Sequence, residues 1–213
     1  MSKDVGTQPA RKRLTRAARR ELIERAATEV FAEHGYAHGS IDEIARRSGV
    51  SAPVVYDHFE SKRDLYRRLL ERTRDELLKM WQEHLFGDEP AEVRIPRALD
   101  AWARYVQSHP FAARMYFRDA SGDPDVQADH RVIRDQARAA LTLLVRQESG
   151  DSAYADPEVA EMAAEVIRAG LTGLAIWWSE RPHVPREQIV ATAVNVVWIG
   201  LERVRRGEGL RRP

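Results

Sequence analysis

Seven cationic side chains, Lys3, Arg11, Lys12, Arg13, Arg16, Arg19 and Arg20, stand against a single acid, Asp4, in the first twenty residues. Such a density of positive charge attracts a polyanion, either nucleic acid or an anionic membrane surface; otherwise it is a solvated, disordered tail. The bias is local. Residues 1–70 carry 14 Lys and Arg against 10 Asp and Glu, a net of +4, whereas residues 71–213 carry 20 against 23, a net of −3. Only four of the 34 cations are lysines, so arginine counts alone say little about chemistry. A second concentration lies mid-chain, where Trp81, Trp102, Tyr105, Phe111, Met115, Tyr116 and Phe117 gather aromatic and soft apolar side chains. With Arg104, Arg114, Tyr105 or His109 for polar orientation, these residues suit an apolar or aromatic ligand; helical core is the competing reading.

Reactive centres are not legible. The absence of cysteine excludes disulfides, cysteine-ligated zinc, iron–sulfur clusters and thiol nucleophiles. No Gly-x-Ser-x-Gly, phosphate-binding loop, dinucleotide fingerprint or His-Glu-x-x-His occurs. The seven histidines are scattered, and His34 and His38 straddle Gly35 rather than sharing a helical face. Neither a metal nor a cofactor is expected, and Asp123-Pro124-Asp125 reads as a charged loop. The longest apolar run, 189–201, is 13 residues with Thr192 and Asn195 inside it, too short to span a bilayer. With no apolar run behind the basic N-terminus, a cytoplasmic location without a membrane partner is the expectation.

The elements that must position these groups are helices. Leu22/Ile23, Ala26/Ala27 and Val30/Phe31 recur every four residues, and Gly35 supplies a stop. Ser40-Ile41-Asp42-Glu43 has the pattern of a capping box and opens a short helix that ends at Ser48-Gly49. Ser51 is placed to cap a third, with Pro53 tolerated in its first turn. Ser61 starts a fourth, whose stripe of Leu65, Leu69, Thr73, Leu77, Trp81 and Leu85 runs about 25 residues, roughly 38 Å. Further helices are predicted at about 94–108, 111–118, 126–148, 157–180 and 186–206, separated by Pro- and Gly-rich breaks. The fold class is all-α, with about nine helices.

Residues 40–59 have helix-turn-helix spacing: Ile44, Ala45, Val50, Val55 and Phe59 can lock two short helices across the Ser48-Gly49-Val50 turn. Their wording is more specific than their spacing. Ile44-Ala45, Gly49-Val50-Ser51, Tyr56-Asp57-His58-Phe59 and Ser61-Lys62, preceded by Phe31-x-x-x-Gly35-Tyr36, resemble the DNA-binding domain of the tetracycline-repressor (TetR) family. The resemblance covers residues 17–77. It implies a basic tail at 1–16, a DNA-binding domain at 17–77 with its helix-turn-helix at 40–59, and a ligand-binding and dimerisation domain at 78–213, joined by the long fourth helix.

The same resemblance implies that Tyr56 and Lys62 contact phosphates and makes Ser40 and Ser51 DNA-binding candidates, Ser40 through the DNA backbone, with capping of the second helix an equally good account of it. Ala52, Pro53, Val54, Asp57 and His58 would line the groove-facing side of the third helix. This chain departs from the common family pattern at Pro53 and Val54, where Gly and Thr are usual, which leaves an apolar edge suited to thymine methyl groups. Arg46 and Arg47 read as solvated surface, and Arg11-Lys12-Arg13 as a minor-groove arm or non-specific attraction.

For the remainder the resemblance implies an effector pocket, for which Trp81, Trp102, Tyr105, Met115, Tyr116, Phe117 and Trp177 are the candidates. It also implies a homodimer through the helices at about 157–180 and 186–206, with Gly170, Gly173, Ala175, Ala193 and Gly200 allowing close approach. Leu171, Ile176, Val190, Val194, Val197 and Ile199 would add apolar surface. The expected function is a ligand-responsive repressor on a palindromic operator. The alternatives are a small all-α enzyme or metal sensor, and a helical adaptor that binds only protein.

Overall fold

The computed structural model describes residues 14–118, 122–149 and 156–198. Among them are nine α-helices and no strand: α1 (Arg16–His38), α2 (Ile41–Ser48), α3 (Ala52–Tyr56), α4 (Lys62–Leu85), α5 (Ala91–Ser108), α6 (Pro110–Phe117), α7 (Pro124–Ser149), α8 (Pro157–Ser179) and α9 (Arg186–Ala193), which runs on into a π-helical turn, Val194–Trp198. The fold is all-α, as expected. Arg11-Lys12-Arg13, Ile199, Gly200 and the end of the last expected helix lie outside the described residues, as does the side chain of Val197.

Local chemistry explains most boundaries. Thr15 opens α1 by accepting the Ala18 N–H at 3.1 Å. Gly35, at φ 73° and ψ 171°, interrupts the helix as expected, although one further turn follows to His38; an L side chain at that φ would be strained. Ser40 caps α2 by accepting the Glu43 N–H at 3.1 Å. The capping box is only half made, because the Glu43 carboxylate turns to Arg46, at 2.6 and 2.8 Å, and to Arg47, at 2.8 Å. These hydrogen bonds hold Glu43 down to about 2. Arg47 also reaches Glu33 on α1 at 2.7 Å. It is therefore a staple between α1 and α2, not the solvated surface its sequence position indicated.

Gly49 closes α2 at φ 70°, the left-handed conformation the tight turn needs. Ser51 occupies the N-cap position of α3 without making a cap bond. Pro53 is the reason on the donor side: it removes one of the two N–H groups such a cap serves. Ser61 caps α4 through the Asp64 N–H at 3.0 Å, and Asp64 reaches back to the Glu60 N–H at 3.3 Å. α5 starts three residues earlier than its apolar pattern indicated and carries Pro96 in its second turn. Arg94, buried there, donates to the carbonyls of Glu89, at 2.6 Å, and Leu85, strapping the end of α4 to α5.

Two buried clusters result. One joins Ile23, Phe31, Ile44, Val55, Phe59 and Leu65 from α1–α4 to Met115, Val126 and Ile133 from α6 and α7. The other gathers Leu77, Leu99, Trp102, Leu171, Ala175, Trp178 and Ile189 from α4, α5, α8 and α9. α4 belongs to both, so its 24 residues, about 36 Å at 1.5 Å per residue, run from one core to the other.

Candidate nucleic-acid interface and cavity

α2 and α3 sit across α1 so that Ile44, Ala45, Val55 and Phe59 are buried while the opposite side of α3 faces water. Tyr56 is 52% exposed. Ser51, Pro53 and Asp57 are exposed beside it, and Ala52, Val54 and His58 are half-buried. This brings the residues expected from the third helix onto one accessible surface. Ser40 is exposed at the start of α2, already engaged as its cap.

Lys62, at the first position of α4, is half-buried rather than extended into solvent. Its Nζ donates to the Ala37 carbonyl at 3.3 Å and lies 4.5 Å over the Tyr36 ring. Burial pushes its pKa below the ordinary lysine value, against the pull of Asp123. The start of α1 contributes cations that were legible as charge but not as position. Arg16 donates to the Asp57 carbonyl at 3.4 Å. His58 has its pKa lowered by burial and then by the positive charges of Arg16, Arg19 and Arg20, and the Arg20 guanidinium lies over the Phe59 ring just past the end of α3, 5.1 Å from its centroid. A surface of this kind meets phosphates with its rim and base edges with the face of α3.

A cavity of about 580 Å³ opens in the other half of the molecule, between α4, α6, α7 and α8. Four expected residues line it: Trp81, Trp102, Tyr116 and Phe117. Three do not. Tyr105 points its hydroxyl to Glu76 at 2.8 Å and stacks on His109, so it ties α5 to α4. Met115 is buried in the core beneath the helix-turn-helix. Trp177 is 42% exposed under the Arg181 guanidinium, while its neighbour Trp178 is buried and donates to the Val184 carbonyl at 2.9 Å. The roughly 100° between consecutive helical side chains separates the pair.

α7 supplies what sequence reasoning missed. His130, Ile133, Arg134, Ala137, Leu141 and Leu144 form one wall of the cavity. The same helix is fastened to the first turns of α4. Arg63 pairs with Asp125 at 2.9 Å and Asp129 at 3.0 Å, and Tyr66 shares a buried 2.9 Å hydrogen bond with His130. Tyr66 packs edge-on against Phe31 of α1, with ring centroids 5.0 Å apart. A cavity-wall residue, His130, is thus two contacts from α1, through Tyr66, which lies one turn from Lys62 on α4. The pairs between α4 and α7 span more than sixty residues, and no local pattern in the sequence announces them.

A helix-turn-helix head with a cationic flank, joined through α4 to a helical body with an internal cavity, defines a DNA-binding regulator. The comparisons agree. Residues 23–69 match the model of the bacterial regulatory proteins, tetR family. The chain is 31% identical over 198 residues to the HTH-type transcriptional activator FasR of Mycolicibacterium smegmatis, covering 90% of this chain and 87% of that protein. It is 37% identical over 104 residues to an HTH-type transcriptional repressor of Mycobacterium tuberculosis, covering 47% of this chain and 53% of that one. Its fold matches the crystal structure of a TetR-like transcriptional regulator from Rhodococcus sp. RHA1 with a TM-score of 0.73 and 20% identity, over 89% of this chain and 99% of that chain. The chain belongs to the tetR family. It is a DNA-binding transcriptional regulator and not an enzyme.

Proposed function

We propose that this regulator binds a palindromic operator as a homodimer, represses transcription from it, and is released when a small apolar or aromatic molecule occupies the α4–α8 cavity. The observation that carries the reading is the double duty of α4. Leu77, Trp81 and Leu85 line the cavity, while Lys62 begins the same helix beside the recognition surface. A packed helix moves as a unit more readily than it bends, so a ligand that displaces the cavity end has a lever on the head. The thermodynamic requirement is that the ligand binds the two head arrangements with different affinity. Cytoplasmic placement accompanies this role; among the described residues no helix is long and apolar enough to cross a membrane. We assign residues 17–77 to DNA binding and 78–213 to ligand binding and dimerisation.

Phosphate contacts by Tyr56 and Lys62 are tested by salt titration. Tyr56→Phe and Lys62→Ala should each weaken binding about equally on all sequences, and Lys62→Ala should reduce the salt slope by about one. An unchanged affinity and slope for Lys62→Ala would confine that side chain to its contacts with Ala37 and Tyr36. Repression is tested separately with a reporter behind the operator. Expression should rise when the regulator is deleted, and a fall would make it an activator, the activity named for its relative FasR.

The dimer reading rests on an exposed stripe of α8. Met162 is 61% and Val166 73% exposed, and Gly170, Gly173 and Trp177 continue the same face. Leu171, Ala175 and Ala193, expected on the dimer surface, are instead buried within the chain. A Cβ added at Gly170 meets nothing within 4 Å, so a larger side chain is free of steric conflict in the monomer. Gly170→Leu should therefore favour the isolated helix by roughly 1 kcal/mol, yet weaken the dimer by about 1–3 kcal/mol through overpacking across the interface. Sedimentation over a concentration series measures this, and an unaffected dimer would move the interface away from that face.

A further inference from the structure

The cavity wall is apolar in area but one-signed in charge. Arg74 on α4, Arg118 after α6, Arg134 on α7 and Arg168 on α8 all line it, and no Asp or Glu does among the described residues. Two of these arginines are paired with carboxylates that do not line the cavity: Asp75 with Arg74 at 2.8 Å and Glu165 with Arg168 at 2.6 Å. Both pairs hold their guanidiniums in place without putting negative charge inside. Arg74 is further fixed across to α7 by donating to Gln136 at 2.9 Å.

Tyr116 lines the same cavity from α6. Burial pushes the Tyr116 hydroxyl up to about 12, while Arg74 and Arg168 both act electrostatically to lower it. Arg74, Arg168 and Tyr116 thus line one cavity from three helices, and the phenol stays protonated at neutral pH and can donate a hydrogen bond. Away from them the wall is hydrocarbon, with Leu77, Trp81, Leu141, Leu144 and Ile176 prominent. In a site partly shielded from water, an anion placed among guanidiniums gains charge-assisted hydrogen bonds, whereas a cation is repelled.

We infer that the effector is an amphipathic anion, a molecule whose carboxylate or phosphate sits among Arg74, Arg168 and Tyr116 and whose apolar tail lies along α4, α7 and α8. This narrows the apolar or aromatic class proposed above and rests on the cavity being the effector site. The volume of about 580 Å³ lies within the range of drug-sized ligand pockets and leaves room for a tail beyond the head group.

The test uses the full-length protein and four probes of equal chain length, kept below their micelle concentrations: dodecanoate, dodecyl phosphate, dodecanol and dodecyltrimethylammonium. Trp81 and Trp102 line the cavity and report binding by fluorescence. The carboxylate or the phosphate should bind about tenfold or more tightly than the alcohol, and the ammonium probe most weakly of all. Comparison of the two anions identifies which head group is preferred. Arg168→Gln and Arg74→Gln should each lower anion affinity about tenfold and leave dodecanol binding within about twofold. Arg168→Lys should recover part of the loss, since it restores the charge without the planar fork. Equal binding of alcohol and anions, preference for the cation, or no binding of any probe overturns the inference. Operator binding is measured in parallel. If an anion binds with the expected selectivity but leaves operator affinity unchanged, the ligand class stands and the release of DNA by ligand does not.

Discussion

Phe59→Ala is expected to lower stability by about 3–5 kcal/mol, the range for truncating a fully buried phenylalanine. Phe59 is 2% exposed and belongs to the core shared by α1, α2, α3 and α4. Its N–H closes the end of α3 on the Val55 carbonyl at 3.0 Å, and the Arg20 guanidinium covers its ring at 5.1 Å. The lost side chain would leave a cavity under the recognition helix, and operator binding should fall with it. A domain of this kind has roughly 5–15 kcal/mol in total, so the loss consumes a large share. Tyr56, three residues away and half-exposed, provides the contrast. Tyr56→Ala should change stability by no more than about 0.5 kcal/mol while weakening DNA binding. Denaturant titration with parallel operator binding separates the two, and a loss below about 1 kcal/mol for Phe59→Ala would mean that other residues hold the recognition helix in place.

The second expected result concerns the fastening of α7 to α4. A cavity ligand and the operator should weaken each other by the same factor, typically 5–150-fold for coupled sites. That factor should fall towards one in a Tyr66→Phe, Asp129→Asn double variant. Tyr66→Phe removes the 2.9 Å bond to His130, and Asp129→Asn removes the charge facing Arg63. Neither residue is among those lining the cavity, and neither belongs to the exposed face of α3, so each separate affinity should stay within about 1 kcal/mol. His130 lines the cavity and is 5% exposed, and its bond to Tyr66 leads from the wall through Phe31 to α1. Operator binding measured with and without the fluorescence-active probe checks this. Full coupling in the double variant would place the transmission in α4 or α6 instead.

The helix-turn-helix was legible because its determinants are local. Ser40, Gly49, Pro53 and Ser61 each set a boundary through backbone geometry or a neighbouring donor within a few residues, and Ile44, Val55 and Phe59 set the buried side by their spacing. What spacing left open at this scale is where a side chain had a choice of partner. Glu43 takes Arg46 and Arg47 instead of completing its cap, and Lys62 folds back onto Ala37 and Tyr36. Charge and distance decide such choices, and spacing does not encode them.

The cavity was legible only by composition. Of the aromatic and soft residues clustered between positions 81 and 117, Trp81, Trp102, Tyr116 and Phe117 line the cavity while Tyr105 and Met115 pack elsewhere, because a helical stripe looks the same against a core as against a void. The sequence by itself determined an all-α chain, its boundaries at capping serines and left-handed glycines, and the exposed face of α3, since each follows from interactions within about four residues. Only the tertiary structure decided that α7 forms the cavity wall, that Arg63 and Tyr66 meet Asp129 and His130, and that four arginines from separate segments face one cavity. Those encounters join residues up to 94 positions apart, from Arg74 to Arg168, and depend on how whole helices pack rather than on what any short segment prefers.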